Sequence, residues 1–177
     1  MMGYRSQSDR KLCAVAYMLL VYALKNEGVF NALPEFGYRA DGKPFLSNYP
    51  DICFSISHCR DVAACIISDV EVGVDVERVN EYDDELARAV CNDDEYRWIA
   101  GSPDSDIRAR TFTGLWTRKE SVAKWRGTGL ACDPREILRG ELPDMPDKGF
   151  HIASLYYQPG NFCISVCRNN NIMETGL

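Results

Sequence analysis

Three short stretches of this chain collect residue types that act on phosphates. The first is V-G-V-D-V-E at residues 72–77. Its alternation predicts a strand on which Asp75 and Glu77 share one face and Val74 and Val76 the other. Two neighbouring carboxylates repel unless a cation or a proton lies between them. Hard oxygen ligands of this kind suit Mg²⁺, especially when a substrate phosphate supplies further oxygens. On pattern alone, a solvated strand edge accounts for the stretch better.

The second stretch, F-T-G-L-W-T-R-K-E-S-V-A-K-W, runs from Phe112 to Trp125. At helical spacing Phe112, Leu115, Trp116, Val122 and Ala123 form one apolar stripe, and Lys119 falls in its middle. A lysine there must be paired, aimed at an anion, or snorkel outward. Glu120 and Lys124 lie one turn apart on the flank of the stripe. A surface ion pair between those two, with a snorkelling Lys119, is the competing structural reading. The third stretch, F-S-I-S-H at 54–58, ends a predicted strand at a turn, where Ser57 and His58 can both donate to phosphate oxygens. A strand-end histidine is more often structural than catalytic.

These side chains need elements to hold them. Residues 8–26 predict a helix stopped by Gly28, and Asp41-Gly42 predicts a turn. Residues 52–57, 62–68 and 72–77 predict three strands joined by short connections, hence antiparallel. Residues 83–100 predict a helix broken near 91–93, and residues 106–126 a longer helix stopped by Gly127 and Gly129. Two strands, 150–157 and 162–167, surround a turn at 158–161. Helix then strands, twice over, points to an α+β chain of two similar lobes.

The 177 residues are 46% hydrophobic with a net charge of -6, which suits a folded domain and argues against a general nucleic-acid binder. The apolar run at 12–24 is too short to span a bilayer and lacks a cleavage site, so neither a membrane span nor a signal peptide is expected. Eight cysteines include no C-x-x-C pair, and most sit in apolar runs, which predicts reduced, buried thiols and a cytoplasmic protein.

Taken together and in order, Ser57-His58, G-V-D-V-E and W-T-R-K-E-S-V-A-K, with Gly-Lys-Pro at 42–44 upstream, resemble the 4′-phosphopantetheinyl transferases. The resemblance covers about two thirds of the chain, and the closest type is the broad-specificity class that activates peptide and polyketide synthases. It implies two α+β lobes related by a pseudo-twofold axis, residues 1–70 and 71–177, with coenzyme A in the cleft between them. It implies Asp75, Glu77 and Glu120 as Mg²⁺ ligands, and Lys124 and Lys119 as coenzyme contacts. Ser57, His58 and Lys43 match positions that touch the diphosphate or the 3′-phosphate, and Arg10 the arginine that meets the nucleotide end. Glu95 lies where many members carry a glutamate proposed to activate the attacking serine; Glu120 is the other candidate for that base.

The implied reaction moves the phosphopantetheine arm onto a serine of an acyl or peptidyl carrier protein and is performed by a monomer. Arg60, Arg118, Lys119 and Arg126 are the candidate basic residues for an acidic carrier. The chain starts near its first helix, without the basic N-terminal segment of longer members, and Arg5 is the candidate to compensate. The tail at 169–177 reads as frayed. A non-catalytic coenzyme A-binding protein and another Mg²⁺-dependent enzyme of nucleotide diphosphates are the competing functions.

Overall fold

A computed structural model describes residues 7–129, 132–139 and 149–169; Arg5 and the tail beyond Asn169 lie outside them. The chain is a mixed helix-and-sheet structure whose first element is helix α1, Gln7–Asn26. Ala16, Leu20 and Leu24 recur on one side of α1 and are fully buried, while Met18 and Tyr22 face outward. The helix ends where Gly28 takes a left-handed φ of 71°, and the amides of Val29 and Phe30 then bond back to Leu24 O.

Two hairpins follow. Strands β1, Phe36–Tyr38, and β2, Pro44–Leu46, pair around the predicted Asp41-Gly42 turn, with Gly42 at φ 88°. The sequence shows the turn but not these three-residue strands, which are too short to display a period. Strands β3, Cys53–Cys59, and β4, Val62–Ser68, form a full antiparallel ladder. β3 runs further than predicted, so His58 sits within the strand rather than at the turn.

Strand β5, Val72–Arg78, pairs with neither hairpin but joins a three-stranded antiparallel sheet in the order β5-β7-β6, with β6 at Phe150–Tyr157 and β7 at Phe162–Asn169. Val74 and Val76 point toward β4, where they pack with Ala64, Ile66, Ile164 and Val166. The other face of β5 and β7 is covered by a long helix.

The helical stretch between β5 and β6 breaks as the sequence predicts. Helix α2, Asp84–Val90, is capped by Asp83, and α3, Asp93–Ala100, carries a full capping box between Asn92 and Glu95. Helix α4, Ser105–Arg126, is capped by Asp104 and closed by Gly127 at φ 77°. The predicted single stripe on α4 divides. Phe112, Leu115 and Trp116 pack against Val90, Cys91 and Ile99, whereas Val122 and Ala123 pack against Ile137, Leu138 and Phe150. All eight cysteines are free. No helix among the described residues is long and apolar enough to cross a membrane.

Candidate functional site

A group of ionisable side chains, Asp75, Glu77, Glu120 and Lys124, lies where β3, β5 and α4 meet. The hairpin strand β3 lies along β5 and bonds to it through side chains: Val74 N donates to Ser55 Oγ at 2.9 Å, and Ser57 Oγ donates to Asp75 Oδ1 at 2.8 Å. From the other side Lys124 Nζ donates to the same Asp75 Oδ1 at 2.7 Å. Asp75 is only 4% exposed, and its second oxygen, Oδ2, is buried without a hydrogen-bond partner.

Backbone packing makes this meeting possible. A Cβ on Gly73 would stand 2.1 Å from Ser121 O and 2.5 Å from Trp125 N, so only glycine lets the α4 backbone rest on β5 there. Buried hydroxyls hold the helix in register further along. Thr117 Oγ1 and Ser154 Oγ both bond to Ser165 Oγ, at 2.8 and 2.9 Å, and Ser165 sits directly across the ladder from Asp75.

The electrostatics are unbalanced. Burial pushes the Glu77 carboxyl up to about 7, helped by the charges of Asp75 and Glu120 and opposed by Lys124. Burial and then Asp75 also raise Glu120. Three carboxylates thus face one ammonium. No three His, Cys, Asp or Glu side chains among the described residues are gathered into a ready-made metal cage. The donor set still fits a hard divalent cation: all-oxygen ligands, surplus negative charge, and a buried carboxylate oxygen awaiting a partner. Asp75, Glu77 and Glu120 are the residues that would hold it.

Other residues singled out from the sequence go elsewhere. Lys119 does not snorkel and does not face an open coenzyme site. Its side chain is 1% exposed, its Nζ is 2.7 Å from Glu95 Oε2, and it donates to Pro134 O at 2.7 Å and Val90 O at 3.3 Å. A buried ammonium has to be saturated this way, so Lys119 is removed from the coenzyme contacts. Its partner Glu95 is likewise enclosed: Oε2 also takes the Asn92 amide at 2.8 Å, and Oε1 is buried without a partner. Lys43 is also engaged, donating to Glu71 Oε2 at 2.6 Å and Trp125 O at 2.8 Å. His58 is exposed, with Nε2 3.7 Å from Cys13 Sγ, and Arg10 is exposed near the start of α1.

Some residues at the site escape a sequence reading. Arg39 and Glu71, the acid just before β5, are two of these: Glu71 bonds both Arg39 and the Lys43 named above. Ser55 and Gly73 build the junction, and their only signal is a small residue within a strand pattern. A hollow of about 260 Å³ opens beside the cluster, lined by Gly42, Lys43, Ser55, Ile56, Lys124 and Gly127.

Residues 71–169 match the family profile ACPS, the 4′-phosphopantetheinyl transferase superfamily. The chain is 35% identical over 114 residues to 4′-phosphopantetheinyl transferase gsp of Aneurinibacillus migulanus, covering 64% of this chain and 45% of that protein. It is 32% identical over 142 residues to a 4′-phosphopantetheinyl transferase of Bacillus subtilis, covering 80% and 62% respectively. The chain thus spans about half the length of the curated relatives it matches. The holo-[acyl-carrier-protein] synthase of Thermotoga maritima overlaps it in part, over 56% of this chain and 62% of the other, with TM-score 0.42 and 18% identity.

Proposed function

Because this chain belongs to the 4′-phosphopantetheinyl transferase superfamily, we propose that it moves the 4′-phosphopantetheine arm of coenzyme A onto a serine of an acyl or peptidyl carrier protein. The reaction is Mg²⁺-dependent, releases adenosine 3′,5′-bisphosphate, and is carried out by a cytoplasmic monomer. The observation that carries the reading is the acid cluster of Asp75, Glu77 and Glu120 with its buried, partnerless Asp75 Oδ2.

Asp75, Glu77 and Glu120 would hold the Mg²⁺, which when bound offsets charge on the diphosphate and on the departing bisphosphate. The chain's own residues do the rest. Ser57, donating to Asp75 Oδ1, fixes that carboxylate's orientation. Lys124 is held at Asp75 with its side chain 30% exposed, and its remaining N–H donors point a positive charge at a phosphate oxygen. The hollow between β3 and α4 receives the nucleotide end, and residues 1–70 and 71–177 act as two similar lobes around it.

The carrier serine Oγ bonds to the β-phosphorus while the bridging P–O bond breaks, and the serine proton must pass to a base. Glu120 is assigned that role. It stands partly exposed in the cluster, whereas Glu95 is buried against Lys119. Arg60, Arg118 and Arg126 are assigned to the acidic carrier; Lys119 is too deeply buried to serve there.

The test is to incubate the protein with coenzyme A, Mg²⁺ and apo carrier proteins and to weigh the carriers. A phosphopantetheine-sized mass gain is expected. Binding of coenzyme A with no gain on any carrier would leave a non-catalytic binder. Absence of both would leave a different Mg²⁺-dependent activity on nucleotide diphosphates.

A further inference from the structure

Lys43 poses a puzzle on the transferase reading. It is a cation suited to a coenzyme phosphate, yet its ammonium is already engaged. Its side chain is 8% exposed, and Nζ is held by Glu71 Oε2 at 2.6 Å and Trp125 O at 2.8 Å. The other oxygen of Glu71 is held by Arg39 Nη2. One carboxylate therefore straddles two cations that come from opposite ends of the β1–β2 turn, Arg39 before it and Lys43 after it. The turn itself is tightened by Arg39 N donating to Lys43 O at 2.9 Å.

These three side chains line a hollow of about 350 Å³ whose other walls are largely apolar and aromatic, including Phe45, Tyr49 and Phe54. Lys43 lines this hollow and also the smaller one beside Lys124. It therefore stands between the acid cluster and the Arg39–Glu71 pair. An Arg guanidinium and a Lys ammonium converging on one carboxylate form a pair of cations that the terminal oxygens of a phosphate monoester can also bridge. Burial pushes the Glu71 carboxyl up, but hydrogen bonds from Lys43 and Arg39 outweigh it and hold the group below its ordinary value. The carboxylate thus stays charged at neutral pH and opposes any anion brought to the same cations.

We infer that Glu71 is a built-in competitor for the 3′-phosphate of coenzyme A, occupying the Arg39–Lys43 cation pair in the free protein and releasing it when the nucleotide end binds. The inference rests on the transferase reading, which assigns the diphosphate to the acid cluster and Lys124 and so leaves the 3′-phosphate for the second pair of cations. Release costs little cohesion. Glu71 and Arg39 are 29% and 44% exposed as side chains, so their ion pair is screened by water, whereas Lys43 keeps its bond to Trp125 O throughout. Arg39 thereby becomes a phosphate ligand, and Glu71 sets the affinity and the preference for the 3′-phosphorylated coenzyme.

The test is calorimetric titration of coenzyme A and of 3′-dephospho-coenzyme A, with Mg²⁺ and without any carrier, into wild type and Glu71→Gln. The variant is expected to bind coenzyme A about tenfold tighter, the effect of removing one like charge at a partly exposed site. Its affinity for the dephospho form should be unchanged. Glu71→Asp retains the charge but draws it back from Lys43. It is expected to show a smaller gain and serves if the glutamine variant does not fold. Equal tightening toward both ligands, no change, or weaker binding of coenzyme A overturns the inference. If wild type binds coenzyme A and the variants do not tighten, this inference alone falls. If wild type binds no coenzyme A, the transferase reading falls with it.

Discussion

Adjacent residues of α4 feed two sites that look alike in sequence and differ in physics. Lys119 enters a closed pair with Glu95: one ammonium, one carboxylate, both under a tenth exposed, with backbone carbonyls completing the ammonium's bonds. Glu120 and Lys124, one and five positions on, enter a group where three carboxylates meet one ammonium. Each site contains one buried carboxylate oxygen without a partner. At Glu95 the charge is already balanced, so the orphan oxygen calls for nothing more than tolerance. At Asp75 the same orphan oxygen sits in a field of surplus negative charge, and that imbalance is what a cation relieves. Charge balance separates a structural ion pair from a candidate reaction site; burial does not.

The contrast can be broken most forcefully at Lys119. Lys119→Met leaves Glu95 buried and unpaired and should destabilise the protein by about 3–5 kcal/mol in urea or thermal melts. Adding Glu95→Gln should recover most of that loss. Retained stability in the single variant would mean the pair is not the closed structural contact described. At the other site, Asp75→Ala should lower transfer to carrier protein by about 100–1000-fold. Its circular dichroism spectrum should stay unchanged, since Lys124 is partly exposed and can re-solvate. Near-normal activity would remove Asp75 from the proposed metal ligands.

A smaller effect sharpens the comparison through pH. Glu77 has its folded-state value raised from 4.5 to about 7, so the folded chain holds a proton that the unfolded chain has released. The stability this provides is fully present below about pH 4.5 and is lost as pH rises through about 7. With metal chelated, Tm should therefore fall across that window through this group, and Glu120 contributes with the same sign. Added Mg²⁺ should raise Tm more at pH 8 than at pH 5, because the cation competes with the protons. A Mg²⁺ effect independent of pH, or none at all, would contradict the acid cluster as its site.

Much of the secondary structure was legible because it rests on local rules. The α1 stop at Gly28, the break at 91–93, the Gly127 end of α4 and the β3 to β5 strands all follow from capping, turn chemistry and period. The three-residue strands β1 and β2 did not, since pairing across the Asp41-Gly42 turn creates them. Asp75 and Glu77 were legible as a shared strand face. Glu71 was not, because only folding carries Arg39 and Lys43 to it.

By itself the sequence determined the alternation that puts two acids on one face of β5, the glycine at 73, and the spacing of Glu120 and Lys124 on one helix. It also determined that Lys119 needed a buried partner, by placing a charge within an apolar stripe. Which partner it found was decided only in the tertiary structure, where α3 delivers Glu95 to Lys119 and β3 delivers Ser57 to Asp75. The reason is physical: periodicity sets which way a side chain leaves its own element, but charge compensation depends on what other elements bring within about 3 Å.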